Sequence, residues 1–405
     1  MNHSPIAVCI IVEDLPVPFD RRVWQEACAL RDAGYRVSVI CPKRDEFRQG
    51  YERREGIEIH RHGLREGSTP SGYLFEYAWA LAAEFRLALK VFGRTRFKIL
   101  HACNPPDTIF LIARFFKLLG VRFVFDHHDL NPELYEAKFG KRGGLFYRLL
   151  LLAERMTYRT ADASIATNES YREIAIQRGG MAPDRAFIVR SAPDLSRMLP
   201  AAPRAELKRG RPFLVVYLGT MGPQEGVDLL IEAAAHLAGA GQRSDTAFAL
   251  IGGGSEVPRL KALSAARGLD DLIIFTGRIP DEDVAAYLST ADLCVAPDPQ
   301  NAMNDKSTMN KVLLYMAYGR PVVLFDLTEG RRTAGKGALY ARPNDPQDFA
   351  AQMARLLRCE VLRRELGEAG RKRIEKDLNW EYEKRQLLDA YEVAAGARSA
   401  TSGRP

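Results

Sequence analysis

The stretch Ser307-Thr308-Met309-Asn310-Lys311 sets hydroxyl, amide and ammonium groups just ahead of the apolar run "VLLYMA". A helix starting near residue 309 or 310 leaves backbone N–H groups unpaired at its positive end, a natural seat for phosphate. Ser307 and Thr308 suit an N-cap or first turn, and Lys311 adds a full positive charge. Taken alone, the pattern equally fits an ordinary cap beside a solvated lysine. Two glycine-bearing turns add weight to the first reading. "YLGTMGPQEGVDLLIEA" (217–233) runs from a strand through Gly219, Thr220 and Gly222 into a helix, and "LIGGGSEVPRL" (250–260) does the same through Gly252, Gly253 and Gly254. Glycine at such turns lets a backbone approach a ligand closely. The GxGxxG spacing is lacking, so no dinucleotide fingerprint is read.

Other residues invite chemistry and are weighed the same way. "DHHD" (126–129) has a metal-like composition, but consecutive side chains on an extended segment point to opposite sides. His127 and His128 therefore fit a place in a catalytic cleft, or structural hydrogen bonding, better than a shared ion. Asp281 and Asp283 form a D-x-D that reads as the cap and first-turn acid of a helix. The loop "LPVPFDRR" (15–22) is stiffened by two prolines and carries Phe19, Asp20, Arg21 and Arg22. Asp20 suits the cap of the following helix, with the arginines in solvent. No metal site is expected.

The elements that must position these groups alternate strand and helix, twice over. Apolar runs at 6–12, 36–41, 56–61, 98–103, 121–126, 162–167 and 186–190 read as strands, with helices at 21–33, 73–93, 106–119 and 144–160. The pattern restarts at "PFLVVYLG" (212–219) and continues with strands near 247–253, 273–277, 293–297 and 321–325, separated by helices. Continuously apolar strands of this kind belong to parallel sheets covered on both faces. The expected organisation is a first Rossmann-like domain (1–195), a linker (196–211) and a second such domain (212–375). A helix crossing back (376–395) and a disordered tail (396–405) complete it. Ligands of parallel α/β sheets bind beyond the carboxyl ends of the strands, which directs attention to the cleft between two facing sheets.

In their order and spacing, five segments of the second half resemble the donor-binding domain of family 4 of the retaining GT-B glycosyltransferases. They are "YLGTMGPQEGVDLLIEA", "ALIGGGSEVPRL", "IIFTGRIPDEDVAAYLSTADLCVAP", "STMNKVLLYMAYGRPVV" and "LYARPNDPQDFAAQMARLL". In the first half "LPVPFDRRVWQEACALRDAGYRVSVICP" and "FDHHDLNPELY" are similar to the family's first strand–loop–helix and its His-containing strand end. The resemblance spans about residues 5 to 390. It implies metal-independent transfer of a sugar from a UDP- or GDP-sugar with retention, without a cofactor. By this resemblance Gly219, Thr220 and Gly252 to Gly254 line the nucleotide, and Arg278 lies by the base. Ser307, Thr308, Asn310 and Lys311 meet the diphosphate or sugar, His127 or His128 faces the reacting carbon, and Phe19 to Arg22 reach the acceptor. The family's two glutamates, eight residues apart, are replaced here by Lys306 and Leu314, and a loop lysine by Glu225. A catalytically weak binding or scaffold protein, or a sugar-nucleotide epimerase, are the alternatives.

The chain has 405 residues, 46% of them apolar and 27% charged, and a formal net charge of +7. That balance favours anionic partners; nucleic acid is not expected, because no motif for it accompanies the charge. Six widely spaced cysteines without a CxxC read as reduced thiols of a cytoplasmic protein. No signal peptide and no membrane span are read. The segments 73–98, 114–123 and 141–159 interleave Lys and Arg with Phe, Tyr and Leu, as a membrane-surface helix does. They admit an anionic membrane surface as a partner and a lipid-linked or saccharide acceptor, as in exopolysaccharide or O-antigen assembly. Core helices with solvated basic faces would look the same.

Overall fold

Each apolar run expected to be a strand is one, and the strands assemble into two separate sheets. The computed structural model describes residues 5–44, 46–63, 70–140, 142–198, 201–239 and 245–396, with backbone alone for 70–77. Residues 199–200 of the expected linker, and the expected tail beyond Gly396, lie outside the described residues. Contacts divide the chain into Met1–Arg190 with Glu383–Pro405, and Ser191–Tyr382.

In the first unit the strands are β1 (Ala7–Ile11), β2 (Arg36–Pro42), β3 (Tyr51–Arg54), β4 (Ile57–His62), β5 (Ile99–Cys103), β6 (Arg122–His127), β7 (Ala163–Ala166) and β8 (Ala186–Ile188). They lie in the order β3-β4-β2-β1-β5-β6-β7-β8. All neighbours pair parallel except β3, which runs antiparallel to β4. The helices are α1 (Arg21–Asp32), α2 (Pro70–Thr95), α3 (Phe110–Lys117), α4 (Asn131–Phe139), α5 (Gly144–Thr160) and α6 (Glu169–Gln177). Strand order reverses direction between β1 and β5, so the crevice for a ligand opens beyond their carboxyl ends.

The second unit holds β9 (Phe213–Leu218), β10 (Thr246–Ile251), β11 (Ile273–Gly277), β12 (Leu293–Ala296), β13 (Val322–Phe325) and β14 (Ala338–Ala341). Its order, β11-β10-β9-β12-β13-β14, is wholly parallel and reverses between β9 and β12. Covering it are α7 (Val227–Leu237), α8 (Val257–Ala266), α9 (Asp281–Thr290), α10 (Asn310–Ala317), α11 (Thr328–Ala334), α12 (Pro346–Arg358) and α13 (Glu360–Asp377). These elements bury one core on each face of the sheet.

The last helix, α14 (Trp380–Ala395), belongs from Glu383 onward to the first unit. The helix crossing back was expected from 376; α13 instead runs to Asp377, the backbone leaves the helical region at Leu378, and α14 starts at Trp380. Within the first unit, Tyr391 on α14 is wholly buried, and its hydroxyl lies 2.8 Å from Nδ1 of His101 on β5. Glu383 receives the Arg190 backbone N–H at 2.9 Å and its guanidinium at 3.2 Å.

Candidate active site

At the β9–β12 switch point the sequence builds a tight cradle. Tyr315, fully buried on α10, accepts the Leu218 N–H at 2.7 Å and donates to the Val295 carbonyl at 3.3 Å. β9 and β12 pair only as far as Cys294, so this hydroxyl closes the gap where the strand ends diverge. That explains a tyrosine in a helix otherwise buried by Val312, Leu313 and Met316, and it fixes the helix start against the sheet. Leu314, on the flank of the same helix, is half-buried against this core.

The glycines meet here as backbone. A Cβ on Gly252 (φ +131°) would lie 1.9 Å from the Gly219 carbonyl oxygen, and one on Gly254 would lie 2.3 Å from that of Met221. Met221 N–H bonds the Gly253 carbonyl, and Gly252 N–H bonds that of Gly277, which precedes the exposed Arg278. A Cβ on Gly219 would sit 3.4 Å from Cε of Lys311. The structure thus brings Gly219, Thr220, Gly252, Gly253, Gly254 and Lys311 together beyond the carboxyl ends of β9 and β10, with Arg278 at the neighbouring strand end.

The helix begins at Asn310, as the spacing requires, but its cap position falls on Met309, which supplies no side-chain hydrogen bond. Ser307 is not the cap: its hydroxyl donates to the Met303 carbonyl at 2.9 Å, inside the preceding loop. Thr308 is half-buried in that loop and Asn310 is exposed.

Lys311 is not solvated. Its side chain is 9% exposed, its Nζ lies 2.7 Å from Asp298 and 3.0 Å from Glu225, and it sits 5.1 Å from the Tyr217 ring centroid. Burial alone would lower its pKa, yet the two carboxylates hold it above the ordinary lysine value. Burial pushes Asp298 up to about 6 against the pull of Lys311. Sequence reading missed Asp298, which lies in the polar loop after β12 without a motif of its own.

In the first unit the paired histidines part. His127 is wholly buried among Phe125, Tyr158 and Tyr171, with Nδ1 2.6 Å from the Tyr158 hydroxyl. Burial, reinforced by Arg178, lowers its pKa to about 3, so it is a neutral core residue. His127 therefore faces the core, and of the two histidines His128 alone keeps an open edge. His128 is 17% exposed; its backbone N–H donates to Asn104 Oδ1 at 2.7 Å, and Nε2 lies 2.6 Å from Asp126 Oδ2. Burial would lower its pKa, but the Asp126 carboxylate raises it above the usual imidazole value.

Arg22 also turns inward. Its guanidinium grips Asp126 at 2.7 and 3.1 Å, meets Glu26 at 3.1 Å and donates to the Val189 carbonyl at 2.7 Å. The expectation that Arg22 reaches an acceptor is corrected: burial with two carboxylates spends its donors. Asp20 caps α1 through the Val23 N–H, while Phe19 on the loop and Arg21 at the helix start stand exposed. The i, i+4 pair Arg22–Glu26 was the available sequence signal for the inward turn. Asp126 and Glu26 were missed, because a charged residue inside a strand or helix shows its partner only in three dimensions. Among the described residues, His101, Cys103 and Asp126 offer ligand atoms close enough for a metal ion. Arg22 and His128 already occupy the Asp126 carboxylate, which makes the cluster a poor cation site.

Residues 20–192 match the model of the glycosyl transferase 4-like domain, and residues 212–359 that of glycosyl transferases group 1. The chain is 29% identical over 272 residues to the D-inositol 3-phosphate glycosyltransferase of Thermomonospora curvata, 62% of each chain. The curated relatives are thus matched over about three fifths of their length. Sucrose-phosphate synthase from Thermosynechococcus elongatus superposes with a TM-score of 0.78 at 21% identity, covering 97% of this chain and all of that one. Anabaena HepE in complex with UDP-glucose does so with a TM-score of 0.71 at 15% identity over 96% and 99%. The fold is that of the GT-B glycosyltransferases, two parallel-sheet α/β units with a C-terminal helix.

Proposed function

We propose that this protein is a metal-independent glycosyltransferase that moves a sugar from a UDP- or GDP-sugar to a lipid-linked or saccharide acceptor, with retention. The observation that carries the reading is the convergence of Gly219, Gly252 and Gly254 with Lys311 and the start of α10 at the switch point of the second sheet. As the bond to the anomeric carbon breaks, negative charge grows on a nucleoside diphosphate, and preorganised N–H groups and a cation stabilise it there. The glycines let backbone approach the nucleotide, and the α10 N-terminus, uncapped by any side chain of Met309, points its dipole at the leaving group. On the first unit, His128 is held by Asp126 and Asn104 in one orientation, with an open edge for the reacting sugar. Similarity to a D-inositol 3-phosphate glycosyltransferase and to a protein bound to UDP-glucose supports the donor class. Exopolysaccharide or O-antigen assembly on the cytoplasmic face, at the membrane surface, is the setting proposed.

A second reading, a binding protein with weak catalysis, is favoured by one observation: Lys311 is already neutralised by Glu225 and Asp298. Assays of transfer and donor hydrolysis with UDP-, GDP- and dTDP-sugars separate the two, with the product anomer read by NMR. Turnover with one nucleotide class is the expected result. A nucleotide-induced thermal shift without turnover selects the binding protein, and neither shift nor turnover overturns the enzyme reading.

A further inference from the structure

Helix α5 is apolar on the wrong side. Its inward face is set by Tyr147, Glu154 and Tyr158. Leu145, Leu149, Leu152 and Met156 follow one another at steps of four, three and four residues, a stripe on the opposite side. Leu145 is 77% exposed and Leu152 54%, and on neighbouring α3 the residue after its last turn, Leu118, is 86% exposed. Of the sixteen large apolar side chains exposed among the described residues, nine fall between Leu111 and Leu152. Scattered exposed leucines need no explanation, but a concentration of this kind marks an interaction surface.

The charge around the stripe is of one sign. Arg114, Lys138, Arg142, Arg148, Arg155 and Arg159 are exposed, whereas every Asp and Glu described between 110 and 160 is buried or half-buried. Where α3 and α5 meet, a recess of about 310 Å³ is lined by Arg114, Lys117, Leu118, Met156, Arg159 and Thr160. Lys117 is held at its rim by Asp162 at 2.9 Å and the Thr160 carbonyl at 2.8 Å. Arg114 and Arg159 have no ion-pair partner among the described residues.

We infer that the α3–α5 face docks on an anionic phospholipid surface, with the leucine stripe entering the acyl boundary and the Arg114–Arg159 recess seating a lipid phosphate. Apolar side chains ringed by exposed basic side chains match such a surface in both chemistry and charge. A protein partner would have to be apolar and strongly acidic at once. No helix among the described residues is long and apolar enough to cross a membrane, so the contact lies in the interface. The inference rests on the membrane setting proposed above and gives it residues.

Sedimentation of the full chain with vesicles tests it. The protein is expected to pellet with mixed phosphatidylcholine–phosphatidylglycerol vesicles, to stay in solution with phosphatidylcholine alone, and to be released by high salt. Arg114→Glu with Arg159→Glu should weaken binding on the order of tenfold or more. Leu149→Ser with Leu152→Ser should weaken it while leaving the melting temperature unchanged, because both side chains are exposed. Failure to pellet with anionic vesicles overturns the inference, as does binding that neither double variant reduces. Self-association abolished by the leucine variant, without vesicle binding, overturns it in favour of a second copy. No sugar donor enters the assay, so its failure leaves the glycosyltransferase reading untouched, and absence of turnover leaves vesicle binding untouched.

Discussion

The Lys311 ammonium lies 3.0 Å from the Glu225 carboxylate, across the turn between β9 and α7. With Asp298 on its other side, the one lysine of the α10 start carries two counter-charges, and a diphosphate arriving there meets a locally negative group. Glu225 keeps 28% of its side chain exposed and Asp298 only 2%, so Glu225 is the replaceable partner. Glu225→Gln should tighten nucleoside diphosphate binding several-fold, about 1 kcal/mol. Calorimetric titration of UDP and GDP into both proteins decides; an unchanged or weaker Kd in the variant means that Glu225 does not compete for the lysine.

Leu314 is half-buried on the flank of α10. A carboxylate at this position could accept hydroxyl hydrogen bonds from a ribose. Leu314→Glu is expected to raise donor affinity by about 1–2 kcal/mol through charge-assisted hydrogen bonds. The same titrations read the result, and the deoxyribose nucleotide dTDP should gain less than UDP. Equal gains for both would sink the ribose assignment.

Gly252 holds φ at +131° with the Gly219 carbonyl oxygen where a methyl would go. Gly252→Ala must push β9 and β10 loops apart. It should lower stability by about 2 kcal/mol or more and abolish nucleotide binding. Urea unfolding and titration together test this; a variant of unaltered stability and affinity would show that the loops move freely.

Asp126 links Arg22 and His128, and Arg22 holds its carboxyl well below the usual range in spite of burial. Asp126→Asn should cost about 3–5 kcal/mol, since it leaves the buried guanidinium without its main carboxylate partner. The pH dependence has two limbs. The depressed Asp126 contributes stability present above the ordinary carboxyl value of about 3.9 and lost as pH falls through its lowered value. The raised His128 contributes stability that is full below about 6.5 and lost as pH rises through its raised value. Unfolding free energies across this range should flatten on the alkaline side in the variant; an unchanged slope there would contradict the His128 pairing.

Much of the fold was legible because apolar runs buried on both faces write themselves plainly into sequence. The five apolar residues of β1 and the five of β10 needed no partner to be recognised. What escaped was structure made by pairing or by polar residues. β3, "YERR", is exposed and extended only because β4 runs beside it. β14 and the short α11 and α4 carry too little periodicity to stand out from loops. At the site, the glycine turns and Lys311 were visible by type and spacing. Their electrostatic state was not, because it depends on Asp298 and Glu225 arriving from loops 13 and 86 residues away.

The return of α14 to the first unit has a consequence for how the protein is made. His101 is buried and Arg190 half-buried, yet their partners Tyr391 and Glu383 are translated only after the whole second unit. While the ribosome is still adding the second unit, the first must wait without these two contacts and with part of its surface uncovered. Domains ordinarily fold as units in the order of synthesis. Here the earlier one is sealed last, so a nascent chain halted anywhere before Glu383 leaves the ribosome with its first half unfinished.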